Sequence, residues 1–153
     1  MSAQLRFIGL CLGAVLMIGC DGGAPTRPTP PSPSAQVAVT VTSVTKTTIG
    51  LDKFSYSFKL QLTDSGGVSS TVTQVDFAFD NGFGDDGTVP DDQLSPNRRL
   101  TANGTLTLEL TIVPRWGYLV GNQVYDASFG VRLTDDNGNK VSAWAYTKDL
   151  DKL

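Results

Sequence analysis

The sequence predicts an all-β domain, a single antiparallel sandwich of two sheets packed face to face. Three observations carry this. After Gln36 the apolar residues recur with period two, no segment holds a helical period, and short runs of Asp, Asn, Ser and Gly separate the alternating stretches. The chain has 153 residues, and the alternation covers 36–150, which is room for one core. No internal repeat is visible, so solenoids and propellers are unattractive.

The elements follow in order. Val37, Val39 and Val41 alternate with Ala38, Thr40 and Thr42, and the phase is lost near Ser43-Val44, where a bulge or an exit is expected. Phe54, Tyr56, Phe58, Leu60 and Leu62 form a second apolar face, ended by the turn Asp64-Ser65-Gly66-Gly67. Val75, Phe77 and Phe79 mark a third strand. Leu106, Leu108, Leu110 and Ile112 mark a fourth, opened by Asn103-Gly104 and closed by Pro114. Tyr125 to Leu133 makes a fifth and Val141 to Tyr146 a sixth, with a short seventh near Arg99-Leu100, so six to seven strands are expected.

The last hairpin has two possible registers, and they differ in which face Trp144 takes. A two-residue Asn137-Gly138 loop would put Trp144 opposite Val131, inside the core. A three-residue Asp136-Asn137-Gly138 loop would put it opposite Gly130, facing out. The even inner face of Val141, Ala143 and Ala145 favours the second, with the ring lying over a strand glycine. The Asn-Gly pair favours the first.

The run Val131-Arg132-Leu133-Thr134-Asp135-Asp136-Asn137-Gly138-Asn139 resembles the late strand and turn of bacterial immunoglobulin-like and fibronectin type III-like domains. That resemblance implies an immunoglobulin-like architecture, usually with adhesive, spacer or partner-binding roles. It does not itself decide function.

The first 35 residues have a different character. A weakly positive start leads into Phe7 to Ile18, twelve residues without charge, too short for a spanning helix, which needs about 20. The run closes with Met17-Ile18-Gly19-Cys20, which resembles the lipobox of bacterial lipoproteins. The resemblance implies a signal peptide over 1–19 and a Cys20 that carries diacylglycerol on sulfur and becomes the first residue. Ordinary cleavage after Ala24 is the alternative. Several acyl chains, at about 0.8 kcal/mol per buried methylene, would hold the protein to a membrane of the cell envelope, facing the periplasm or the cell surface. Residues 20–35 then form a linker with prolines at 25, 28, 30, 31 and 33. Extended at about 3.1 Å per residue, it could reach roughly 45 Å.

Composition narrows the chemistry. The domain has no cysteine, which excludes disulfides and thiolate metal sites, and the chain has no histidine, the commonest general base and zinc ligand. Glu109 is the only glutamate and sits among strand threonines, so paired-carboxylate glycoside hydrolysis has no support; no enzyme is expected. With 12 basic and 15 acidic residues and no basic run beyond Arg98-Arg99, no nucleic-acid partner is expected.

Two candidate sites remain. The loop Asp80 to Pro96 is acidic and glycine-rich, and Asp80, Asp85 and Asp86 could offer oxygen ligands to calcium. The spacing fails the EF-hand pattern and matches a calcium-binding nonapeptide only once, so a solvated, mobile loop is the expectation and no cofactor is required. Trp116, Tyr118 and Trp144 are candidate exposed aromatics that could stack on sugar rings; the competing role for Trp116 is to fold back over an open end of the core. The sequence thus points to a membrane-anchored, non-catalytic binding or structural module. Its expected occupant is an envelope protein partner or scaffold, with a carbohydrate or a calcium-dependent adhesive contact as alternatives.

Overall fold

A computed structural model describes residues 32–51, 53–80, 85–94, 96–115 and 126–153. The expected signal peptide and Cys20, Trp116 and Tyr118 all lie outside those residues. The described chain is all-β and every strand pairing is antiparallel. In order come β1 (Val37–Gly50), β2 (Lys53–Asp64), β3 (Ser70–Asp80), β4 (Asp85–Thr88), the single-turn α1 (Asp91–Leu94), β5 (Arg99–Leu100), β6 (Thr105–Ile112), β7 (Asp126–Asp135) and β8 (Lys140–Thr147). A short 3-10 turn, Leu150–Lys152, follows.

Among the described residues there are eight strands where six to seven were expected, and the additional one is β4. It comes from the acidic loop, whose Asp85–Leu94 part is not a solvated connection. Phe77 pairs with Gly87 and Phe79 with Asp85, while Val89 and Leu94 are buried. No alternating run announces this strand, because its four residues, Asp-Asp-Gly-Thr, hold no apolar side chain.

The strands form two sheets. One has the order β1-β2-β6; the other has the order β4-β3-β7-β8, with β5 also pairing with β3. The alternating residues of both sheets meet in one core: Leu60, Leu62, Leu108 and Leu110 from the first, Val75, Phe129, Val131 and Leu133 from the second. Phe58 of β2 meets Phe129 of β7 edge to face, with ring centres 4.8 Å apart. Leu94 and Leu150, outside the strands, complete this core.

The expected break of phase in β1 is a bulge, not an exit. Val41 pairs with Leu60 and Ser43 with Lys59, so Thr42 is the extra residue, and its hydroxyl donates to the Lys59 carbonyl at 3.2 Å. β3 repeats the device. Val72 pairs with Leu133 and Gln74 with Arg132, and the hydroxyl of the extra Thr73 donates to the Arg132 carbonyl at 3.1 Å. Both bulges read Val-Thr-X-Val, and in each the extra threonine returns the second valine to the inner face.

The exposed edge of β6 is partly occupied. The Gln93 side-chain amide donates to the Thr111 carbonyl at 3.0 Å and accepts from the Thr111 N–H at 2.8 Å, taking the place of a neighbouring strand at that residue.

Candidate functional site

The last hairpin turns through Asp136, Asn137 and Gly138. Gly138 stands at φ 84°, and the Asp135 N–H donates to the Asn139 carbonyl at 3.0 Å. This is the three-residue loop. Gly130 therefore pairs with Trp144, Ser128 with Tyr146 and Val131 with Ala143, and both rings stand on the outer face of the second sheet. Trp144 is 71% exposed and Tyr146 55%. A β-carbon on Gly130 would lie 2.7 Å from the indole, so only glycine leaves the ring its seat on β7.

The outer face around these rings is built from the positions that alternate with the core. β7 contributes Asp126, Ser128 and Gly130, β3 contributes Asp76, Ala78 and Asp80, and β4 contributes Asp86 and Thr88. Small side chains in the middle of a sheet leave hollows there. One, of about 320 Å³, lies among Ala78, Asp80, Asp126, Ser128 and Tyr146. A second, of about 290 Å³, lies among Asp76, Ala78, Asp86, Thr88, Ser128 and Trp144. Ala78 and Ser128 line both, so the hollows join into a shallow trough with an aromatic side and an acidic side.

Hydrogen bonds hold parts of this wall. The Tyr146 hydroxyl donates to Asp126, and that bond, with some burial, pushes the phenol up from its usual value. Asp76 accepts from Gln74 at 2.6 Å and from Thr88 at 2.9 Å, and Arg132 lies 3.0 Å from its other oxygen. Lys148 sits 5.5 Å from the centre of the Tyr146 ring.

The three candidate calcium ligands do not share a face. Asp80 and Asp86 stand exposed on the outer face, whereas Asp85 is 3% exposed and accepts the Arg115 N–H at 2.6 Å. Adjacent residues on a strand point to opposite sides, so Asp85 and Asp86 cannot converge while β4 is paired. Among the described residues no group of three or more metal-ligating side chains comes together. Arg98 and Arg99 are also committed within the domain, Arg98 to the Asp91 carbonyl at 2.7 Å and Arg99 to both carboxylate oxygens of Asp136.

Sequence reasoning found the Trp144 side of this face and missed its floor. Ala78 and Ser128 carry no signal of their own, and they floor a hollow only because register pairs two small residues on neighbouring strands.

What the fold defines is an all-β domain of antiparallel sheets. No known protein family matches the sequence. No curated protein matches it either. Among solved structures, the chain is similar to a Bordetella pertussis protein described as ApaA, with a TM-score of 0.49 and 10% identity over 73% of this chain and 89% of that one. It is also similar to a protein described as late embryogenesis abundant, with a TM-score of 0.47 and 14% identity over 74% of this chain and 68% of that one. Likeness at that level does not bear on what this domain does.

Proposed function

We propose that the protein is a lipid-anchored lipoprotein of a bacterial cell envelope whose domain, an immunoglobulin-like β-sandwich, is a non-catalytic binding module. The observation that carries the binding role is the outer face of the second sheet, where Trp144 and Tyr146 stand exposed beside a trough floored by small residues. Neighbouring exposed rings beside a hollow are the kind of surface that marks a binding face. The lipobox-like Met17-Ile18-Gly19-Cys20 and the proline-rich linker support the anchoring, with Cys20 carrying the lipid.

One experiment in intact cells tests both parts. A photo-crosslinking residue replacing Ser142, beside Trp144 on β8, should form conjugates, while the same residue replacing Thr107 on the outer face of the first sheet should not. Cys20→Ser should move the protein from the membrane pellet to the soluble fraction and reduce the Ser142 conjugates. A variant that stays in the pellet removes the lipid anchor, and equal conjugation from both faces removes the binding face.

A further inference from the structure

We infer that the trough binds a chain of sugar residues that is neutral or carries amines, and that it rejects chains of uronic acids. The inference rests on the binding-face reading above. Its first support is shape. The two hollows adjoin on the outer face of the second sheet, sharing Ala78 and Ser128, so that a ligand longer than one sugar can reach both. Their volumes, about 320 and 290 Å³, are near the lower end of small-molecule sites, and both are open to solvent.

The second support is the pairing of chemistries. A pyranose presents C–H bonds on its faces and hydroxyl groups around its rim. Trp144 and Tyr146 offer flat apolar surfaces to the first, and carboxylates accept from the second. Both rings are held before any ligand arrives, Trp144 against Gly130 and Tyr146 through its hydroxyl on Asp126, so little side-chain freedom is lost on binding. Asp80 and Asp86, one at each hollow, stand exposed on the acidic side.

The third support separates the candidate occupants. Asp76, Asp80, Asp86 and Asp126 surround a centre of small side chains, where their oxygens can accept from the hydroxyl groups that ring a sugar. The nearby cations are Arg132, which lies on Asp76, and Lys148, which lies against Tyr146. Four carboxylates against these two cations leave the trough negative, so a uronate chain would be repelled and an amino sugar attracted.

The test uses the full-length protein in detergent and calorimetric titration with a panel of soluble hexasaccharides of α and β linkage: neutral, amine-bearing and uronic. Saturable binding to a neutral or amine-bearing member is expected, with none to the uronic ones. Trp144→Ala and Tyr146→Ala should each weaken it at least tenfold while circular dichroism and the melting temperature stay unchanged. Gly130→Ala, which displaces the indole, should weaken it too. Asp80→Asn combined with Asp86→Asn should lessen the preference for amine-bearing over neutral sugars. Uronic chains binding as well as the others, a lysine octapeptide binding in their place, or binding that ignores Trp144 each overturns the inference. If no hexasaccharide binds while Ser142 still crosslinks to protein in cells, the sugar assignment falls and the binding face stands. If neither occurs, both fall.

Discussion

Asp135 and Asp64 show what single residues contribute where the chain joins its domain. Asp135 is 4% exposed and takes hydrogen bonds from the Asn137 and Asn139 N–H groups, the Asn139 side chain and the Ala35 N–H. Asp64 does the same for the Gln36, Gly66, Gly67 and Asn103 N–H groups. Consecutive amides of the lead-in, Ala35 and Gln36, are thus held by one carboxylate from each sheet. Burial alone would raise both pKa values, and the hydrogen bonds outweigh it, bringing Asp135 down to about 2 and Asp64 below the usual carboxylate range. A group depressed in the folded state contributes stability that is present above its unfolded value near 3.9 and lost as pH falls through its folded value. The melting temperature of the wild type should therefore fall between about pH 4 and pH 2. Asp135→Asn should melt lower at pH 7 and show a shallower acid slope, because its side-chain N–H₂ cannot accept all the bonds the carboxylate does. Equal slopes in the two proteins would show that Asp135 is not held in this way.

At the scale of elements, two local patterns settle where side chains point. Val-Thr-X-Val at Thr42 and at Thr73 inserts one residue, and the threonine hydroxyl takes over a carbonyl that the bulge would leave without a partner. The phase loss in β1 was readable because five alternating residues precede it. In β3 the pattern breaks after only three residues, too few to show a period. The hairpin from β7 to β8 was readable as two alternatives and no further, since Asn137-Gly138 serves either loop. Gly130 suits the three-residue register: there the indole lies against β7 where a β-carbon would block it. In a Trp116→Phe background, where Trp144 alone emits, emission should be red-shifted and readily quenched by iodide. A blue-shifted spectrum that iodide does not reach would mean that the ring is inside.

Across the whole molecule, the two sheets are joined by aromatic contacts at the centre of the core. Phe58 is buried and touches Phe129 across the sheets, with Tyr56 and Phe79 at centroid distances of 6.2 and 6.1 Å. Phe58→Ala should cost about 3–5 kcal/mol. That is a large share of the roughly 5–15 kcal/mol that holds a domain of this size, and it should lower the urea midpoint without changing the slope. A loss under about 1 kcal/mol would show that the sheets are not packed through this residue. The molecule also has a direction. The lead-in is held beside Asp135 at one end of β7, and Asp126 and the trough lie toward the other, nine residues or about 30 Å along the strand. Ala35 and Gln36 are thus held toward the opposite end of the domain from Asp126.

Alternation by itself determined the all-β class, the inner faces of β1, β2, β6 and β7 and the loss of phase in β1, because burying one side of a strand leaves a period of two in the residues. Tertiary structure alone decided β4, the burial of Asp85, Val89, Leu94 and Leu150, and the trough. β4 is held by hydrogen bonds to β3 and has no apolar side chain to betray it. A hollow is a property of neighbouring strands in register, and Ala78 and Ser128 are fifty residues apart in the chain until pairing sets them side by side.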